Sequence, residues 1–259
     1  MIRTIKRFNS FLLAAALFGA VLALPQLAQA AADPQDVASA VRAKLDKSQF
    51  KDVQVSVDPN GVASLTGSVS LYEYKADADK TVHKIKGVSA VRNDIQVAGP
   101  DIPDAQLQKT LLDKVSSVSI GYGNMFDAIT IDVHDGVVTL GGHSHDYPNR
   151  DSALAAVATT PGVKDVIDDI AVDPVSPMDW NIRLAVARAV YGYPSLNRYA
   201  IDPEKPIRIS VQNGHVELYG VVDSQADKDA AGIRANAVPG VFSVENYLQV
   251  AGQPSEKQH

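Results

Sequence analysis

The amino-acid sequence predicts an α+β protein of three tandem α-β-β-α-β domains, each a small mixed three-stranded sheet with two helices packed on it. Two observations predict it. The first is an internal repeat. Gly61, Gly136 and Gly214 are spaced by 75 and then 78 residues, and the sets Gly67, Gly142, Gly220 and Gly87, Gly162, Gly240 keep the same two spacings. Landmarks at fixed offsets mean duplication with no insertion between them, and such a repeat governs how every element is read. The second is the phrase around each first glycine, "NGVASLTG", "DGVVTLGG" and "NGHVELYG". Each is a turn dipeptide followed by apolar-polar alternation, the mark of a hairpin whose second strand covers a core.

The elements follow in order within each copy. A helix comes first, with its apolar stripe at Val37, Val41 and Leu45, then at Leu107, Leu111 and Val115, then at Ile182, Val186 and Val190. The hairpin comes next, and turn chemistry sets its register. Asp135-Gly136 as a two-residue turn pairs His134 with Val137, Val133 with Val138 and Ile131 with Leu140, leaving Ile129 opposite Gly142. The third copy pairs Val211 with Val216 and Ile209 with Leu218, with Ile207 opposite Gly220. The first copy carries an extra residue in "PNG", and a three-residue loop restores Val57 with Ala63, Val55 with Leu65 and Val53 opposite Gly67. A second helix follows, with stripes Ala78, Val82, Ile85 and Ala226, Ala230, Ile233, Ala237, closed by the Gly-Val pair. A last strand carries Val91, Ile95, Val97; Val166, Ile170, Val172; and Val244, Leu248, Val250. Proline-bearing joints at 99–103 and 173–177 divide the chain into domains at 33–98, 101–173 and 177–251, with a polar tail at 252–259. A unit of this size buries a modest core, so the copies are expected to lean on one another.

Residues 1–30 read as a secretory signal peptide: Arg3, Lys6 and Arg7 precede an apolar run at 11–24, and "AQA" offers small residues for cleavage after Ala30. The expected location is the periplasm. With no cysteine in the chain, disulfides, thiolate metal sites and a lipidated anchor are excluded. Removing the signal's three basic residues takes the net charge from −6 to −6 − 3 = −9. The second copy is the acidic one, with twelve acids against four bases in residues 100–175. Nucleic acid is excluded as a partner, because its binding rests on neutralising phosphates.

Catalysis needs an asymmetric cluster of titratable groups. The best candidate is "HDGVVTLGGHSHD", with His134, His143, His145 and Asp146. The hairpin register sets His143 six rungs beyond the turn, roughly 20 Å from His134 at about 3.3 Å per residue. These histidines therefore read as exposed side chains, and no catalytic residue, metal or cofactor is expected. Asn93, Asp168 and Asn246 recur at one position of the last strand. A repeated polar group there is expected to satisfy nearby backbone rather than a ligand.

The feature that does differ between copies is the helix "DWNIRLAVARAVY" at 179–191. Opposite its inward stripe stand Trp180, Leu184 and Tyr191, flanked by Arg183 and Arg188 and followed by Tyr193 and Arg198. A helix apolar on two faces touches two things. One is its own sheet. The other is either a neighbouring repeat or an interface with lipid or a partner, with aromatic rings at headgroup depth and arginines on phosphates. The lysines at 75, 80, 84 and 86 are interspersed with Asp77 and Asp79 and read as a solvated mixed face.

The α-β-β-α-β unit, with V-x-L-x-G after a turn glycine and G-V-x-x-V-x-N/D leading into the last strand, resembles the BON domain, and the whole is similar to tandem-BON envelope proteins of the OsmY type. The resemblance covers nearly all of residues 33–251 and implies a non-enzymatic periplasmic binding module. It implies peripheral contact with an anionic phospholipid surface or envelope proteins, a role in envelope integrity and osmotic stress, and in some members a chaperone-like activity. Three copies and the missing lipidated cysteine set this chain apart from the familiar members.

Overall fold

The computed structural model describes residues 33–119, 122–201 and 206–253. The signal-peptide expectation and the end of the tail lie outside them. The first domain runs α1 (Pro34–Lys44), a 3₁₀ turn (Ser48–Phe50), β1 (Val53–Val57), β2 (Val62–Val69), α2 (Tyr72–Val82), β3 (Ala90–Asn93) and β4 (Gln96–Val97). The second runs α3 (Asp104–Val118), the short α4 (Gly123–Phe126), β5 (Ala128–His134), β6 (Val137–Ser144), α5 (Tyr147–Ala158), β7 (Asp165–Asp168) and β8 (Ala171–Val172). The third runs α6 (Pro177–Tyr191), α7 (Arg198–Ile201), β9 (Arg208–Gln212), β10 (His215–Tyr219), β11 (Val221–Val222), α8 (Gln225–Asn236), β12 (Ser243–Asn246) and β13 (Gln249–Val250).

In each domain the hairpin is antiparallel and the last strand returns parallel to its second strand, which lies in the middle. The registers are those the turns dictate: Val55 faces Leu65, Ile131 faces Leu140 and Ile209 faces Leu218. Positive φ at Asp135 (53°) and Gly136 (79°), and at Asn213 (51°) and Gly214 (79°), makes both two-residue turns type I′. The turn glycine has a second reason to be glycine. A Cβ at Gly61, Gly136 or Gly214 would stand 2.6, 3.0 or 2.9 Å from the carbonyl oxygen of Gly87, Gly162 or Gly240. The chain turns so close there that Ser89, Lys164 and Phe242 each donate their N–H to the turn glycine's carbonyl at 2.8 Å. The repeated glycines therefore meet in space.

Each last strand is broken once, at the recurrent Asn or Asp. Asn93 Nδ2 donates to the Lys75 carbonyl at 2.9 Å and its Oδ1 accepts from Ile95 N at 3.3 Å. Asn246 repeats this with Lys228 (2.7 Å) and Leu248 (3.3 Å). In the second domain Asp168 accepts from Ile170 N at 3.2 Å and pairs with the Arg150 guanidinium, which occupies the corresponding helix position. The group ties strand to helix in every copy.

Each domain encloses its own core, built on Val41 and Leu65, on Leu111 and Leu140, and on Val186 and Leu218. One helix is phased differently from the sequence expectation. α8 turns Asp227, Ala231 and Ala235 inward, while Ile233 is 69% exposed. Alanines on several sides of this helix leave its apolar stripe poorly defined. Asp227 can face inward because Tyr199, Ser224 and Arg198 satisfy its carboxylate.

Candidate functional site

The two-faced helix α6 is fixed at its start. Ser176 caps it, accepting from Asp179 N at 3.2 Å, with Pro177 in the first turn. Asp179 then receives the N–H groups of Asn213 (3.0 Å) and Gly214 (2.9 Å), clamping the helix to the β9–β10 turn. Asp104 does the same for Asp135 (2.8 Å) and Gly136 (3.0 Å). Those two backbone donors hold the Asp104 carboxyl below its ordinary range.

From this start, Ile182, Val186 and Val190 point into the third core as expected. The opposite side is where the structure departs from a single outward face. Trp180 packs against aromatic rings of the second domain, from the segment around α4 and from the end of β6. Its ring lies 5.5 Å from Phe126 at 83°, 5.7 Å from Tyr122 at 68°, and 6.1 Å from His145 at 25°. Phe126 is fully buried and belongs to the third domain's core although it ends α4. The second thing that α6 touches is thus its neighbour.

The remaining expected contact residues scatter. Arg183 is 3% exposed, paired with Asp173 and donating to the Val211 carbonyl at 2.7 Å. Tyr191 is buried and gives its hydroxyl to the Ile207 carbonyl; burial pushes its phenol well above the ordinary value. Leu184 is half-buried against the third core. Arg198 is spent on Asp223 (3.1 Å) and Asp227. Arg188 and Tyr193 face outward, and the Arg234 guanidinium lies over the Tyr193 ring at 5.3 Å. Burial explains the correction: the Tyr191 hydroxyl and one Arg183 guanidinium nitrogen find partners inside, so an amphipathic pattern on paper becomes interior packing.

His134 and His143 do sit at opposite ends of the hairpin, paired with Val137 and Ala128. His145, however, is no exposed histidine. Its side chain is 8% exposed, with Nδ1 2.6 Å from Asp127 Oδ1. Asp146 caps α5 through Asn149 N at 2.8 Å. Asp104, His134 and Asp135 bring ligand atoms within 4.8 Å of one another. Both Asp104 oxygens accept N–H groups of the turn, so in this structure the group serves as a turn clamp.

The joint between the second and third domains also holds a polar core. Asp173, 3% exposed, takes Arg183 on one oxygen and Gln212 Nε2 (2.7 Å) on the other, with His143 Nδ1 3.4 Å away. Sequence reasoning missed Tyr122, Phe126, Asp173 and Arg234. The available signal was that "NMFDAI" matches "SQFKDV" of the first copy, so that Phe126 stands where the buried Phe50 does.

These features define a tandem array of small α+β domains whose polar clusters hold domains together. A family model of the BON domain matches residues 33–99, 103–174 and 195–252, and the chain belongs to that family. The third match begins beyond α6, which nevertheless takes the place that α1 and α3 have in the other domains. Osmotically-inducible protein Y of Escherichia coli (strain K12) is 28% identical over 148 residues, covering 52% of this chain and 69% of that protein. Among solved structures, the C-terminal domain of CdsD, the structural protein of the Type III secretion system of Chlamydia trachomatis, covers 84% of this chain and 98% of its own at 14% identity, with a TM-score of 0.25. A second CdsD structure reaches 16% identity and a TM-score of 0.23, covering 83% of this chain and 92% of its own. Scores that low carry no structural or functional argument. No helix among the described residues is long and apolar enough to cross a membrane.

Proposed function

We propose that the chain is a non-enzymatic periplasmic binding protein that supports envelope integrity or tolerance of osmotic stress through weak contact with anionic phospholipid surfaces. What supports it is a pair of unneutralised arginines among exposed apolar side chains on the helical side of the third domain. Arg188 leaves α6 toward solvent. Arg234 reaches from α8 to the Ala189 carbonyl at 3.3 Å and across Tyr193, with the exposed Ile233 beside it. Neither arginine has a carboxylate partner among the described residues, whereas Arg183 and Arg198 do. An unpaired cation keeps its charge for phosphate, and Tyr193 and Ile233 suit headgroup depth. The basic and apolar pattern of residues 1–30 supports export, and the name of the related osmotically inducible protein supports the link to osmotic stress.

Co-sedimentation with anionic vesicles at low ionic strength tests this. Binding is expected to anionic and not to neutral vesicles, and Arg188→Glu with Arg234→Glu is expected to abolish it. No binding, or unchanged binding by the double variant, overturns the proposal. The alternative is a chaperone-like or protein-binding module whose acidic second domain keeps clients in solution, and it predicts suppressed client aggregation without lipid.

A further inference from the structure

The histidines of "HSHD" are unused by this function, yet the first of them lies at the joint with the third domain. His143 is the last residue but one of β6 and is partly exposed. Its Nδ1 is 3.1 Å from Gln212 Nε2 on β9 and 3.4 Å from Asp173 Oδ1. Gln212 Nε2 also donates to that same Asp173 oxygen at 2.7 Å, which fixes the amide as a donor. The other Asp173 oxygen holds Arg183 from α6. Glu217 and His215 of β10 line a cavity of about 210 Å³ at this joint together with His143, Ser210, Gln212 and Asn213.

The consequence is a choice at one nitrogen. An unprotonated Nδ1 accepts the Gln212 N–H and so adds a hydrogen bond between domains. A protonated Nδ1 cannot, because two donors would face each other at 3.1 Å. It turns instead to Asp173, which directly follows its own domain's last strand, and competes there with Gln212 and Arg183. We propose that His143 is a proton-operated latch between the second and third domains, closed when the imidazole is neutral and slackened when it gains a proton.

The hydrogen bond to Asp173 raises the His143 pKa, with smaller contributions from the Asp173 and Glu217 charges against burial. The latch therefore operates above the ordinary histidine value. The sign differs between joint and domain. Because the folded value is raised, protonation stabilises the folded chain below the unfolded pKa, and that gain is lost as pH rises through the folded value. At the joint the lost Gln212 bond loosens the contact, against the pull of the third domain's Glu217 on the protonated ring, the smallest cause of the raised pKa.

The chain's single tryptophan, Trp180, lies in this joint and reports on it. Acrylamide quenching of Trp180 in the full chain, measured between about pH 5 and about pH 8 alongside the His143 imidazole resonance, is the test. As His143 gains its proton, the joint-opening equilibrium is expected to rise between roughly twofold and tenfold, the reach of one hydrogen bond. His143→Gln, which always accepts from Gln212, should stay closed at every pH. Gln212→Leu should be loose and insensitive to pH. Flat quenching through the His143 titration, or a His143→Gln curve like that of the parent, overturns the latch; circular dichroism confirms that each variant is folded.

Discussion

The two joints between domains begin at the same place in the repeat and end as different objects. Ala98 and Asp173 each donate their N–H to the neighbouring strand, to Val69 and Ser144, at 2.8 Å. In the first joint that position is an alanine, and the contacts around it are light. Tyr72 rests against the second core, and Lys75 meets Asp165 at 3.4 Å in a part-buried pair. In the second joint the same position is an aspartate that gathers Arg183, Gln212 and His143, next to an aromatic cluster around Phe126 and Trp180. A repeated backbone thus leaves the coupling between copies to a few unrepeated side chains.

The largest expected effect comes from removing the apolar half of the strong joint. Phe126 is fully buried in a core that belongs to the next domain. Phe126→Ala should cost about 3–5 kcal/mol, the transfer term plus the cavity left behind. Hydrogen exchange resolved by segment should place the loss in α6, β9 and β10, with α1 to β4 unchanged. Uniform loss across all three domains would mean that the first joint couples as strongly as the second.

Next is the polar half. Asp173→Ala strands a guanidinium that is 3% exposed, and removing one partner of a buried pair costs about 3 kcal/mol or somewhat more. Denaturant unfolding should show that loss, while Ala98→Asp, the reciprocal change in the first joint, should leave stability nearly unmoved. If both substitutions behave alike, the comparison between the joints fails.

How much of this was legible depends on what repeats. The hairpin registers and the three first-helix stripes were readable because a turn dipeptide and two periodicities constrain them three times over. The fate of Asn93 and Asn246 was readable too, since a polar group recurring in every copy has an architectural task. The joint was not. Phe126 stands where Phe50 does in the first copy, yet Phe50 packs in its own core and Phe126 in the next one, and nothing in the local pattern tells a core aromatic from one lent to a neighbour. Arg183 and Asp173 are ten residues apart, and charge patterning along one helix does not reveal a carboxylate arriving from the preceding strand. α8 failed for a subtler reason: the rule that charged residues face out displaced Asp227, whereas three partners allow it in.

The smallest effect is expected at the weak joint, and it sharpens the contrast most. Lys75 and Asp165 are 19% and 48% exposed as side chains, and their 3.4 Å contact is open to solvent on the Asp165 side. Pairs of this kind contribute between about 0 and about 1 kcal/mol and fade with salt. Lys75→Ala, Asp165→Ala and the double variant therefore make a cycle whose coupling energy should fall below about 0.5 kcal/mol at physiological ionic strength. The same cycle on Arg183 and Asp173 should give a several-fold larger coupling that salt barely changes, because neither group meets solvent. A salt-insensitive coupling at Lys75 would mean that the first joint closes more tightly in solution than its partly exposed ion pair implies, and the two joints would then differ in residue type without differing in strength.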